Sequence, residues 1–118
     1  MKNIIESALK NRSLLKEEET KNAIRSVIND LDNGNLRVAE PTDNGWNVNE
    51  WVKKAVVLYF PIQEMKTIEA GPLEFHDKIP LKKNYKEKGI RVVPHAVARH
   101  GAYISNCLLY TSDAADDL

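Results

Sequence analysis

The most restrictive stretch of the chain is residues 89–104, Gly-Ile-Arg-Val-Val-Pro-His-Ala-Val-Ala-Arg-His-Gly-Ala-Tyr-Ile. It is rich in Val and Ala and has no helix start. Pro94 lacks the N–H that a helix interior needs, and its ring clashes with the preceding turn. The stretch is predicted as extended chain, then a turn, then extended chain, with Gly101 as a second break. It carries two guanidinium groups, Arg91 and Arg99. Arg91 stands in an apolar context, Gly-Ile-Arg-Val-Val-Pro, where a charge is costly unless paired. Two uses are open for it: a structural salt bridge, or a group that holds an anion. A guanidinium grips a carboxylate with two parallel hydrogen bonds, which suits a di-acid ligand.

The chain before this stretch alternates helical and extended signals. Ile4, Ile5, Ala8 and Leu9 form one apolar stripe on a helix over 3–10. Residues 11–19 are polar apart from Leu14 and Leu15 and read as a linker. Glu17, Glu18 and Glu19 then favour a helix N-terminus. Ala23, Ile24, Val27, Ile28 and Leu31 repeat the stripe over 19–33, and Asn33-Gly34 closes it. Residues 35–40 read as a strand that Pro41 ends or confines to an edge. Asp43-Asn44-Gly45 is a turn signal, with a short return strand over 46–48. Asn47 and Glu50 have capping-box spacing before a helix over 49–60, which Pro61 stops. Trp51, Val52, Ala55, Val56, Tyr59 and Phe60 are its expected buried face, and Trp46 and Trp51 are expected core anchors. Gly71-Pro72 divides two short strands, about 66–70 and 73–77. Residues 80–88, Pro-Leu-Lys-Lys-Asn-Tyr-Lys-Glu-Lys, read as a wet basic loop. The order gives an α+β fold.

Composition narrows the function classes. The formal net charge of zero gives no electrostatic reason to expect nucleic acid or an anionic membrane as a partner. No apolar run nears the roughly 20 residues of a membrane span. The single cysteine, Cys107, forms no intrachain disulfide, so a reducing, cytoplasmic setting is expected. His95 and His100 are five apart, not the four of a helical zinc pair, and no metal site is expected. There is no Gly-rich phosphate loop and no Gly-x-Ser-x-Gly elbow.

Four blocks together resemble a known family. They are Leu-Asp-Asn-Gly-Asn-Leu-Arg-Val-Ala-Glu at 31–40, the Trp46 to Trp51 spacing followed by Val-Lys-Lys-Ala-Val-Val-Leu at 52–58, Phe-His-Asp-Lys-Ile-Pro-Leu-Lys at 75–82, and the 89–104 stretch. In this order they resemble the N-terminal part of the tetrahydrodipicolinate N-succinyltransferases. The resemblance implies succinyl transfer from succinyl-CoA as co-substrate to a di-acid, in lysine and diaminopimelate synthesis, with no bound cofactor or metal. It implies a homotrimer, with an N-terminal α+β domain at 1–88 and the start of a left-handed parallel β-helix of hexapeptide repeats at 89–106. Arg91 matches the arginine by which the family holds its di-acid. The catalytic acid is expected in repeats beyond the matched blocks.

Residues 107–118 lack hexapeptide spacing. They read as a non-native extension on a truncated frame, expected to pack on nothing in particular, and the chain alone is expected to be inactive. The alternative reading is a stand-alone α+β anion-binding or assembly module. In the assembly version the helices at 3–10 and 19–33 would present an open apolar face.

Overall fold

The computed structural model describes residues 1–106. The tail at 107–118, and with it the expectation that it packs on nothing, lies outside the described residues. Three helices form the body: α1, Lys2–Lys10; α2, Glu18–Asp32; and α3, Glu50–Ile62. Two antiparallel hairpins accompany them. The first pairs β1, Ala39–Thr42, with β2, Gly45–Val48, and the second pairs β3, Lys66–Ala70, with β4, Leu73–Asp77. The architecture is α+β. Among the described residues, no helix is long and apolar enough to cross a membrane.

The core is the meeting of the three helical stripes. Ile5 and Ala8 of α1, Ala23, Ile24, Val27, Ile28 and Leu31 of α2, and Val52, Ala55, Leu58 and Tyr59 of α3 are buried together, with Ile79 beside them. The apolar faces of α1 and α2 are thus turned into this core with α3, so the open face required by an assembly module is not there. Leu58 is fully buried, whereas Phe60 is 38% exposed. The stripe of α3 is therefore rotated from the expected one, because the helix is flanked by both α1 and α2 and buries the side between them.

Several local expectations need correction. Residues 11–19 are not a plain linker, since Arg12–Lys16 forms a short 3-10 helix. Asn11 Oδ1 accepts from the Ser13 backbone N–H at 3.2 Å, which caps it, and Leu14 and Leu15 pack on the core. The first strand begins at Ala39, not at 35. The N–H groups of Asn35 and Leu36 both donate to the Asp30 carbonyl, at 2.8 and 3.3 Å, so they close α2 and are unavailable to a ladder. Gly34, at φ 78°, makes that closure a Schellman motif, with its own N–H on Leu31 O. Pro41 lies inside β1 opposite Trp46, which a two-stranded ribbon tolerates because both strands are edges.

The capping box at Asn47 is absent. Asn49 precedes α3, and its side chain does not cap the helix. It donates instead to Arg37 O at 2.8 Å, tying the start of α3 to the chain that enters β1. Pro61 sits in the last turn of α3, which runs on to Ile62. The fixed φ of proline fits a helix, and the one i→i−4 bond it forfeits is to the carbonyl of Val57, a residue on the exposed side of the helix. Trp46 is not a core anchor: it is 72% exposed on the first hairpin, while Trp51 packs at the core margin. The second hairpin has the expected strands, with Gly71 at φ 61° in its turn.

Beyond β4 the chain to residue 106 forms no further named helix or strand. A turn at Pro94-His95, with Ala96 N–H on Val93 O at 3.1 Å, divides the 89–104 stretch where Pro94 predicts it. His95 takes the left-handed conformation there, φ 76°.

Candidate functional site

The site grows from a loop with a closed neck. Lys82 N–H donates to Ala98 O at 2.9 Å, His100 N–H donates to Pro80 O at 2.8 Å, and Leu81 bridges Arg99. The chain between these points makes an excursion that carries Arg91, Val92, Val93, Pro94 and His95, all exposed. Ile90 is buried at its root, and its N–H donates to Tyr85 O at 2.9 Å.

Below the neck sits Asp32, the last residue of α2. Its Oδ1 accepts from Lys82 Nζ at 2.7 Å and from the Gly101 N–H at 3.0 Å. Its Oδ2 accepts from Lys88 Nζ at 3.2 Å. Lys82 also donates to the Asp32 backbone carbonyl at 3.1 Å. Both side chains of the central pair are buried, 1% exposed for Lys82 and 6% for Asp32. Burial alone would push the Asp32 carboxyl up. The hydrogen bonds from Lys82, Gly101 and Lys88 outweigh it and hold the pKa at about 2, against an ordinary 3.8. His100 completes the surround: Nε2 is 2.7 Å from Asn29 Oδ1, and Nδ1 is 3.7 Å from Asp32 Oδ2.

This corrects the reading of 80–88 as a wet basic loop at Lys82 and Lys88, while Lys83 and Lys86 are exposed as that reading expects. Two of its lysines turn inward because a carboxylate lies on the core side of α2. A signal for this was present in the sequence. Ile24, Ile28 and Asp32 stand four apart, so Asp32 continues a buried row and requires a cation. Nothing in the sequence says which lysine answers.

The two guanidinium groups of the stretch separate. Arg99 is engaged: Nη1 lies 2.9 Å from Asp77 Oδ2 on β4, and this hydrogen bond, helped by backbone N–H groups, holds the Asp77 carboxyl below its usual range. Arg91 has no hydrogen-bond or ion-pair partner among the described residues, so the structural salt bridge left open by the sequence is not seen there. It borders an apolar hollow of about 140 Å³ lined by Tyr85, Ile90, Val93, Val97 and Ile104. A free cation beside an apolar wall can take a small molecule with a carboxylate and a carbon skeleton. A larger hollow, about 450 Å³, opens between α2, α3 and the 80–88 loop. Its Arg25 is already committed to Gln63 Oε1 and Ile62 O.

The histidines do not gather. His76 faces Thr67 Oγ1 at 3.2 Å across the second hairpin, His95 is in the turn and His100 is on Asn29. Among the described residues no three His, Cys, Asp or Glu side chains group as a metal site.

Comparison with known proteins agrees with the four sequence blocks. The family model described as tetrahydrodipicolinate N-succinyltransferase N-terminal matches residues 1–62. A Coxiella burnetii (strain Dugway 5J108-111) protein named 2,3,4,5-tetrahydropyridine-2,6-dicarboxylate N-succinyltransferase is 43% identical, covering 89% of this chain and 42% of that protein. A Legionella pneumophila (strain Paris) protein of the same name is 43% identical, with the same two shares. One from Photorhabdus laumondii is 42% identical over 95% of this chain and 45% of its own length. The chain thus spans less than half the length of these curated relatives. With the family model covering α1 through α3 and the relatives' likeness continuing over most of the chain, the protein belongs to the tetrahydrodipicolinate N-succinyltransferase family.

Proposed function

We propose that this chain is the substrate-gripping N-terminal part of a succinyltransferase acting on tetrahydrodipicolinate in lysine and diaminopimelate synthesis. Succinyl-CoA is the acyl donor. Water adds to the cyclic C=N bond and the ring opens to a ketone and a primary amine. That amine attacks the thioester carbonyl, an amide C–N bond forms, the C–S bond breaks, and CoA leaves as the thiol with the amine proton. Arg91 holds one carboxylate of the di-acid. Residues 89–106 lead into a left-handed β-helix, which carries the CoA groove and the catalytic acid and assembles as a cytoplasmic homotrimer. The 118-residue chain by itself releases no CoA thiol.

The observation that carries this reading is the Arg91 guanidinium at an apolar hollow, without a partner among the described residues, in a chain of this family. The exposed Val92, Val93 and Val97 around it favour a larger protein over a closed module.

The test is a chimera of residues 1–106 with the remainder of the Coxiella burnetii relative, assayed for CoA thiol release with tetrahydrodipicolinate. Turnover is expected, and Arg91→Met lowers kcat/KM by about 100-fold, as loss of a bidentate charged contact should. Equal turnover by Arg91→Met removes Arg91 from the site. An inert, folded chimera beside an active Coxiella parent overturns the functional reading.

A further inference from the structure

Asp32 is where the helical body and the Arg91 excursion meet. The carboxylate binds both sides of the neck, Lys82 on the way out and Gly101 on the way back. It also binds Lys88, three residues before Arg91. The polypeptide from Lys88 to Arg91 is short: its Gly89 is at φ 70°, and Ile90 is buried. The backbone position from which the Arg91 side chain extends is therefore tied to that of Lys88.

We infer that Asp32 is a positioning residue for Arg91, acting through Lys88 to fix where the exposed guanidinium meets its ligand. The inference deepens the proposed function and rests on Arg91 being the dicarboxylate-binding arm. A neutral amide at this position would keep the shape of the side chain but leave the buried Lys82 ammonium unpaired. The return limb has independent holds on α2. A side chain on Gly101 would stand 3.2 Å from Ile28 Cγ2, Tyr103 packs on Gly34, and His100 meets Asn29. Loss of the Lys88 contact alone should free the outgoing limb and leave the return limb and the core in place.

The experiment uses the 118-residue chain, labelled with ¹⁵N, as wild type, Asp32→Asn, Lys88→Met, Lys88→Arg and Arg91→Met. Three quantities are read: amide exchange over 83–91 against α1 and α3, the Arg91 Nε–Hε resonance, and binding of the probe pyridine-2,6-dicarboxylate. In Lys88→Met, exchange over 83–91 rises about fivefold while α1 and α3 are unchanged, as expected for a half-buried ion pair. The Arg91 resonance shifts and probe binding weakens by a similar factor. Lys88→Arg, which keeps the charge, restores all three, a rescue that a merely structural role does not require. Asp32→Asn shows the same changes, and if it unfolds, Lys88→Met and its rescue decide. Unchanged 83–91 exchange and an unchanged Arg91 resonance in Lys88→Met overturn the inference. If those move as expected but wild type and Arg91→Met bind the probe alike, or neither binds, Asp32 still positions the limb and it is the reading of Arg91 that fails.

Discussion

Lys82 Nζ lies 2.7 Å from Asp32 Oδ1, and both groups are shut away from solvent fifty residues apart in sequence. A pair of this kind draws its strength from being complete. Removing either partner leaves a buried charge, which costs far more than the pair adds over a well-packed apolar replacement.

Lys82→Met should therefore destabilise the chain by about 3 kcal/mol, the lower part of the range for breaking a buried pair, since Lys88 and Gly101 still serve Asp32. The double variant Asp32→Leu/Lys82→Met should recover most of that loss. Urea denaturation of the four corners of this cycle checks it. Additive costs would mean that the two side chains are not coupled.

Acid should release the same node in a defined window. The folded pKa of Asp32, about 2, is below the ordinary 3.8. A carboxyl lowered in the folded state contributes stability that is fully present above the unfolded pKa and is lost as pH falls through the folded one. The contribution is on the order of 2 kcal/mol near neutrality and should fade between about pH 4 and pH 2. Asp32→Asn should remove that part of the acid dependence of unfolding. An identical acid profile in the variant would count against the carboxylate as its source.

Gly34 is required twice over. It sits at φ 78°, and a Cβ there would stand 2.8 Å from Tyr103 Cε2. Gly34→Ala should cost about 1–2 kcal/mol from backbone strain, with an added steric part. In Tyr103→Ala/Gly34→Ala the steric part should vanish and the backbone part remain. Equal stability of Gly34→Ala and wild type would show that neither constraint acts.

Neighbours on α3 should behave oppositely. Leu58 is fully buried among the helices, while Val57 faces outward. Leu58→Ala should lose about 3 kcal/mol. Val57→Ala should stay within about 0.5 kcal/mol of wild type. Comparable losses at both positions would mean that α3 is rotated from the orientation described.

The sequence by itself determined the parts governed by neighbours along the chain. The stripes of α1 and α2 follow from helical spacing, the second hairpin from Gly71-Pro72, and the turn inside 89–104 from Pro94, because each depends on backbone geometry within a few residues. It also singled out Arg91, since a guanidinium in an apolar run needs a purpose. Only tertiary structure decided which arginine is occupied: Asp77 reaches Arg99, and among the described residues nothing reaches Arg91. It likewise drew Lys82 and Lys88 inward and left Trp46 outside. Whether a lysine is wet or buried depends on a carboxylate fifty residues away, and whether a tryptophan is core depends on what its hairpin packs against. Those distances are set by the packing of helices and loops in space, and no spacing along the chain records them.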